Sequence, residues 1–216
     1  MTSSAHLRLA DRPVLRGRIH VLAFWSAALL GVVLIAGAHG LTARLVAAIY
    51  VVTLLVGFGV SAIYHRVDWS PEWRDRMQRL DHAAIYIWIA GTYVPLCVLV
   101  LPAAWGVPLL AVVGSGAMLG IVLQMRRRGR RTGYVLYPLL GWAAIAIAPA
   151  LWWHLDPLEF WLVVGGGLAY TLGFPVLLAK RPDPIPRVFG YHEVWHSFTV
   201  VAAGLHFAAV GLMTAA

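Results

Sequence analysis

The stretch Leu41-Thr42-Ala43-Arg44-Leu45-Val46-Ala47-Ala48-Ile49-Tyr50-Val51-Val52-Thr53-Leu54-Leu55-Val56-Gly57-Phe58-Gly59-Val60-Ser61-Ala62-Ile63-Tyr64-His65 decides the fold. After Arg44 it runs without a charged side chain as far as Arg66. A helix needs about 20 such residues to cross the hydrocarbon core of a bilayer. The apolar residues are continuous, whereas a membrane β-strand would alternate apolar and polar positions. Similar runs recur over residues 19–37, 78–100, 107–125, 134–151, 160–179 and 190–213, with 41–64 as the second in order. The chain is 61% hydrophobic and 12% charged, whereas a soluble domain carries about 25% charge. The sequence therefore predicts an all-α, polytopic membrane protein. Its single domain, 19–216, has seven transmembrane helices and follows a basic tail, 1–18.

The charges orient it. With the N-terminus in the cytosol, sixteen of the 17 Lys and Arg residues fall on the cytosolic side, and Arg44 is the exception. This is the positive-inside pattern, and it puts the C-terminus outside. The net charge of +8 is then a topology signal, and the run Arg126–Arg131 acts as a stop signal beside anionic lipid rather than a nucleic-acid site. Ala36-Gly37-Ala38 mimics a signal-peptide cleavage site, but the preceding run is long enough to span. Cys97 is the single cysteine, so no internal disulfide is possible. Trp105, Trp152, Trp153 and Trp161 at helix ends fit an interfacial aromatic belt. Gly165-Gly166-Gly167 suits close helix packing.

The same topology brings the polar exceptions to one level. His65 ends the second run, Asp81 begins the third, and His192-Glu193-Val194-Trp195-His196 opens the last. Two His four apart on a helix share a face, with Cβ atoms about 5–6 Å apart. Together with His65 and Asp81 they form a set able to hold a cation. An isolated Asp inside a membrane helix costs about 2.5–3.5 kcal/mol, so Asp81 needs a partner: the cation, or Arg79 or a loop arginine. Imidazole and carboxylate ligands suit zinc, while ligand type alone also admits iron or manganese. Ser61 lies one turn from His65 on the same face. His82 points about 100° away from Asp81 around the helix and is read as a packing or supporting residue. His206 lies too deep and is read as a buried polar contact. His6, His20, His39 and His154 fall in tails or loops and receive no role. Glu193 either acts as the base of an H-E-x-x-H protease, orients His192, or meets a loop arginine; the partners His65 and Asp81 argue against the protease. A retinal protein needs a Lys in the final helix, and the only Lys is Lys180.

Three motifs in order, Ser61-x-x-x-His65, Leu80-Asp81-His82 running into Ile89–Pro95, and His192-x-x-x-His196 with His206-Phe207 downstream, make the chain resemble the hemolysin III family. That family belongs with the progestin and adiponectin receptors and, more distantly, with alkaline ceramidases. The resemblance implies a seven-helix fold with a zinc site near the cytosolic face. It carries His65, His192 and His196 over as ligands, Asp81 as a ligand or holder of the metal's water, and Ser61 as a nearby polar group. The expected function is a zinc-dependent hydrolase of lipid amide or ester bonds in a bacterial plasma membrane. Its partners would be membrane lipids and a lipid-like substrate, with no nucleic acid. The competing expectations are a non-catalytic, zinc-stabilised receptor-like protein and a cytolytic pore former.

Overall fold

The structure of the chain, a computed structural model, describes residues 13–126 and 129–216, and the side chains of all of these except 129–134. His6, Arg8, Arg12 and most of the arginine run lie outside those limits. Among the described residues, seven helical spans are long and apolar enough to cross a membrane: Arg18–Gly37, Gly40–Arg66, Pro71–Val100, Ala103–Met125, Val135–His154, Pro157–Ala179 and Tyr191–Ala215. We label the helices α1 (Arg18–Gly37), α2 (Gly40–Arg66), α3 (Pro71–Pro95), α4 (Ala103–Met125), α5 (Gly129–Gly141), α6 (Ala148–His154), α7 (Pro157–Ala179) and α8 (Tyr191–Ala215).

Helix α3 begins about two turns before the apolar run that announces it. Ser70 caps it, Pro71 occupies the first position and Glu72 sits in the first turn, a combination that starts a helix whatever its hydropathy. Asp81 is consequently in the third turn of α3, not at its start. Past Pro95 the helix loosens into a π turn, Leu96–Val100. The fifth span is broken in the middle. Helix α5 contains Pro138 and gives way to a 3₁₀ segment, Trp142–Ile147, before α6 resumes. A break at membrane depth is tolerated only when neighbours satisfy the freed backbone groups. Tyr93 on α3 does so: its hydroxyl donates to the carbonyls of Leu140 and Gly141, at 2.8 and 3.0 Å, and accepts from the Ala144 amide at 3.1 Å.

Neighbours in sequence pack in space, and α1 returns against α8 to close the bundle, with α2 also reaching α8. Tyr50, Leu54, Phe58 and Trp88 form one core with small residues Ala23, Ala27 and Ala203. Tyr93, Leu96, Val113, Leu151, Ala209 and Met213 form a second. Helix α8 contributes to both. In lipid such contacts hold helices by close van der Waals fit, because there is no water to exclude. Gly166 shows how close: a Cβ there would stand 2.2 Å from His206 Nε2. The outward faces are apolar, and Trp105, Trp152, Trp153 and Trp161 are exposed among them. These seven apolar spans make the chain a multi-pass membrane protein.

Candidate metal centre

His65 lies in the last turn of α2, and His192 and His196 in the first two turns of α8. One ring nitrogen from each lies within 4.8 Å of the others. His65 Nε2 and His192 Nε2 are 3.2 Å apart. Ring centroids stand 4.7 Å (His65–His192), 4.4 Å (His192–His196) and 5.1 Å (His65–His196) apart. Two nitrogens on a tetrahedral zinc, each at about 2.0–2.1 Å, would lie about 3.3 Å from one another, the spacing at which the His65–His192 pair stands. His65 and His196 are buried and His192 is half-buried. Three imidazoles this close together suit a divalent cation of the borderline class.

The start of α8 is fixed in three ways. Glu193 reaches back to the Gly190 amide at 2.9 Å, and Asp183 accepts from the Tyr191 amide at 2.8 Å. These satisfy helix N–H groups that would otherwise lack partners. The other Glu193 oxygen accepts from Arg16 Nε. Glu193 is fully buried, and Arg16 gives its carboxylate a charged partner. With one oxygen capping the helix and the other held by Arg16, Glu193 is not placed as the base of an H-E-x-x-H protease.

The segment ahead of α1 is drawn over this end of the bundle. The amides of Val14 and Leu15 donate to the carbonyls of Arg187 and Val188 at 2.9 and 3.2 Å. Gly17 has φ +77°, a conformation that favours glycine. A Cβ on Gly17 would lie 2.8 Å from the Cβ of His65. The backbone therefore passes directly over the end of α2.

Asp81 is not among the residues whose ligand atoms lie within 4.8 Å of one another. Its carboxyl accepts a hydrogen bond from the Ser61 hydroxyl, which sits one turn along α2 from His65. Arg79, weighed as a partner for Asp81, is engaged by Asp75 at 3.3 Å and by the Met125 carbonyl at 3.0 Å. The His82 carbonyl accepts from Tyr137 Oη at 3.0 Å. His206 Nε2 meets the Val163 carbonyl at 3.1 Å, well removed from the cluster. His154 bonds its own helix at Ala150 O, and the His39 amide donates to Thr214 O.

His20 is the residue that sequence reasoning missed. It is buried in the first turn of α1 and lies flat against His196, with ring centroids 3.9 Å apart and an interplanar angle of 11°. Its Nε2 is 3.2 Å from Thr199 Oγ1. A signal was present: His20, Ala23, Ala27, Gly31 and Leu34 form the buried stripe of α1, at the spacing of one helix face.

The sequence model of a family described as "Haemolysin-III related" matches residues 9–207. The chain is 30% identical over 183 residues to "Hemolysin-3" of Bacillus cereus, covering 83% of this chain and 80% of that one. It is 31% identical over 154 residues to "Hemolysin-3 homolog" of Bacillus subtilis (strain 168), covering 70% and 69%. It is also 27% identical over 181 residues to "Monocyte to macrophage differentiation factor" of Rattus norvegicus, covering 77% and 69%. With seven apolar spans and a three-histidine group at one end, this multi-pass cell-membrane protein belongs to the haemolysin-III-related family.

Proposed function

We propose that the protein is a zinc-dependent membrane hydrolase of lipid amide or ester bonds, with its site near the cytosolic face. The observation that carries this reading is the adjacency of two sets: the His65/His192/His196 group and the Ser61–Asp81 pair one helical turn away. A purely structural cation would need only the first. His65, His192 and His196 would hold the ion and leave a fourth position open, as catalytic zinc sites do. The ion would acidify water and polarise a carbonyl. Asp81 Oδ is the group that takes the proton. The Ser61 hydroxyl donates to Asp81 and so orients it; to stabilise a developing oxyanion, it would first have to turn from Asp81. The cytosolic placement rests on the charge distribution, since Arg16, Arg66, Arg79 and Arg187 all lie at this end. A lipid-like substrate would enter sideways from the bilayer.

Zinc-loaded protein in mixed micelles, given amide-linked and ester-linked lipids, tests this by release of fatty acid. Asp81→Asn should keep zinc and reduce turnover by about 10²–10⁴-fold. If loaded wild type releases no more fatty acid than His192→Ala, the centre is non-catalytic and the receptor-like reading takes its place. The names of the two Bacillus relatives raise membrane lysis for this chain as well. Ion efflux from liposomes containing the pure protein would support that alternative.

A further inference from the structure

Metal-binding imidazoles are usually held by a hydrogen bond from the second ring nitrogen to a carboxylate, carbonyl or water. Among the described residues the buried Nδ1 of His196 has no hydrogen-bond partner, so no bond from that nitrogen fixes the ring. Only the helix backbone and the surfaces against the ring are left to set its plane.

One of those surfaces is His20. The two rings are within 11° of parallel at 3.9 Å between centroids, which is van der Waals contact over the whole face. His20 is itself fixed on several sides. The Thr199 hydroxyl donates to the His196 carbonyl at 2.8 Å, so its oxygen is free to accept from His20 Nε2 at 3.2 Å. Phe58 meets the His20 ring edge-on at 5.2 Å. Four residues before His20, in the segment ahead of α1, Arg16 is ion-paired to Glu193, so this stretch of chain is tied to α8 at two points. His20 cannot share a cation with His196 in this arrangement. An imidazole ligand holds its ion in the plane of the ring, and the His20 plane runs parallel to that of His196 instead of converging on it.

We propose that His20 is a positioning residue for the metal centre: its flat face, anchored through Thr199, holds the His196 ring in its ligating orientation. This rests on the metal reading given above and assigns α1 a part in a site otherwise built from α2 and α8. The N-terminal end of α1 thereby becomes part of the centre and more than a cover over it.

The test is a chelator-competition titration of zinc on the full chain in detergent, with the visible spectrum of the cobalt(II) form as a second readout. Wild type and His192→Ala are measured alongside His20→Phe, His20→Leu and Thr199→Val. His20→Phe keeps a flat ring but loses the bond to Thr199; like Thr199→Val it should weaken zinc only severalfold, less than His20→Leu, with an unchanged cobalt spectrum. His20→Leu keeps bulk but no plane; it should lose about tenfold or more in affinity and shift the cobalt bands. Thr199→Val, the milder change should His20→Leu fail to fold, should weaken zinc severalfold. Wild-type affinity in both His20→Leu and Thr199→Val overturns the proposal, and so does a loss in His20→Phe equal to that in His20→Leu. A loss in His20→Phe as large as in His192→Ala would make His20 a ligand and also overturn it. Wild type binding zinc no better than His192→Ala would instead overturn the metal reading itself, and the role of His20 with it.

Discussion

Two regions of this bundle depart from plain apolar helix in opposite ways. In the fifth span the helix is broken outright, with Pro138, a 3₁₀ segment and a second helix start, yet the chemistry there is only repair: one hydroxyl, from Tyr93, contacts three backbone groups. At the basic end, α2 and α8 are unbroken, and the polar groups are side chains gathered from α1, α2, α3 and α8. In a membrane a broken helix often invites a site, because its free backbone can bind an ion or substrate. Here the break is satisfied within the protein, and the candidate centre is made from intact helix ends. Irregular backbone and buried polar side chains are thus separate signals, and in this chain it is the side chains that mark the site.

Substitutions can break or sharpen that contrast. The largest effect expected is on metal: His65→Ala should weaken zinc by more than about a hundredfold, beyond what loss of a supporting residue causes, as read by chelator competition. Arg16→Ala comes next. It would leave Glu193 charged and buried without its partner, at a cost of about 3 kcal/mol in unfolding experiments. Tyr93→Phe should cost about 2 kcal/mol by leaving the broken span unsatisfied, with zinc affinity unchanged. A loss of zinc in Tyr93→Phe would erase the distinction between the two regions. Glu193→Gln should have the smallest effect, about 1 kcal/mol: its amide oxygen can still accept from Gly190, while half-exposed Arg16 can turn to water. A larger loss would mean that the ion pair contributes more than the cap.

Much of this was legible in the sequence, for identifiable reasons. Span positions follow from hydropathy because lipid demands long apolar helices. The grouping of His65 with His192 and His196 follows from the i, i+4 spacing plus the level at which the charge pattern sets each helix end. What could not be read depends on contacts between distant positions. The partner of Glu193 is Arg16, 177 residues away, in a segment that reads as a loose tail. His20 stands at the edge of its apolar run and looks like a tail residue until α1 closes on α8. Asp81 is at the right depth, but only the packing of α3 on α2 reveals that Ser61, rather than Arg79, meets it. The start of α3 was misplaced by hydropathy because its first turns are amphipathic and are set by a cap rather than by apolarity. The break in the fifth span is hinted at by Pro138, but not the Tyr93 hydroxyl that meets its backbone groups from another helix.

Three histidines from two helix ends make up the proposed metal centre. Its most direct test is elemental analysis of the protein purified in mild detergent without chelators, comparing wild type with His192→Ala/His196→Ala. Wild type should carry about one zinc per chain and the double variant none. Wild type free of metal, or a double variant that retains it, would rule out a three-histidine metal centre.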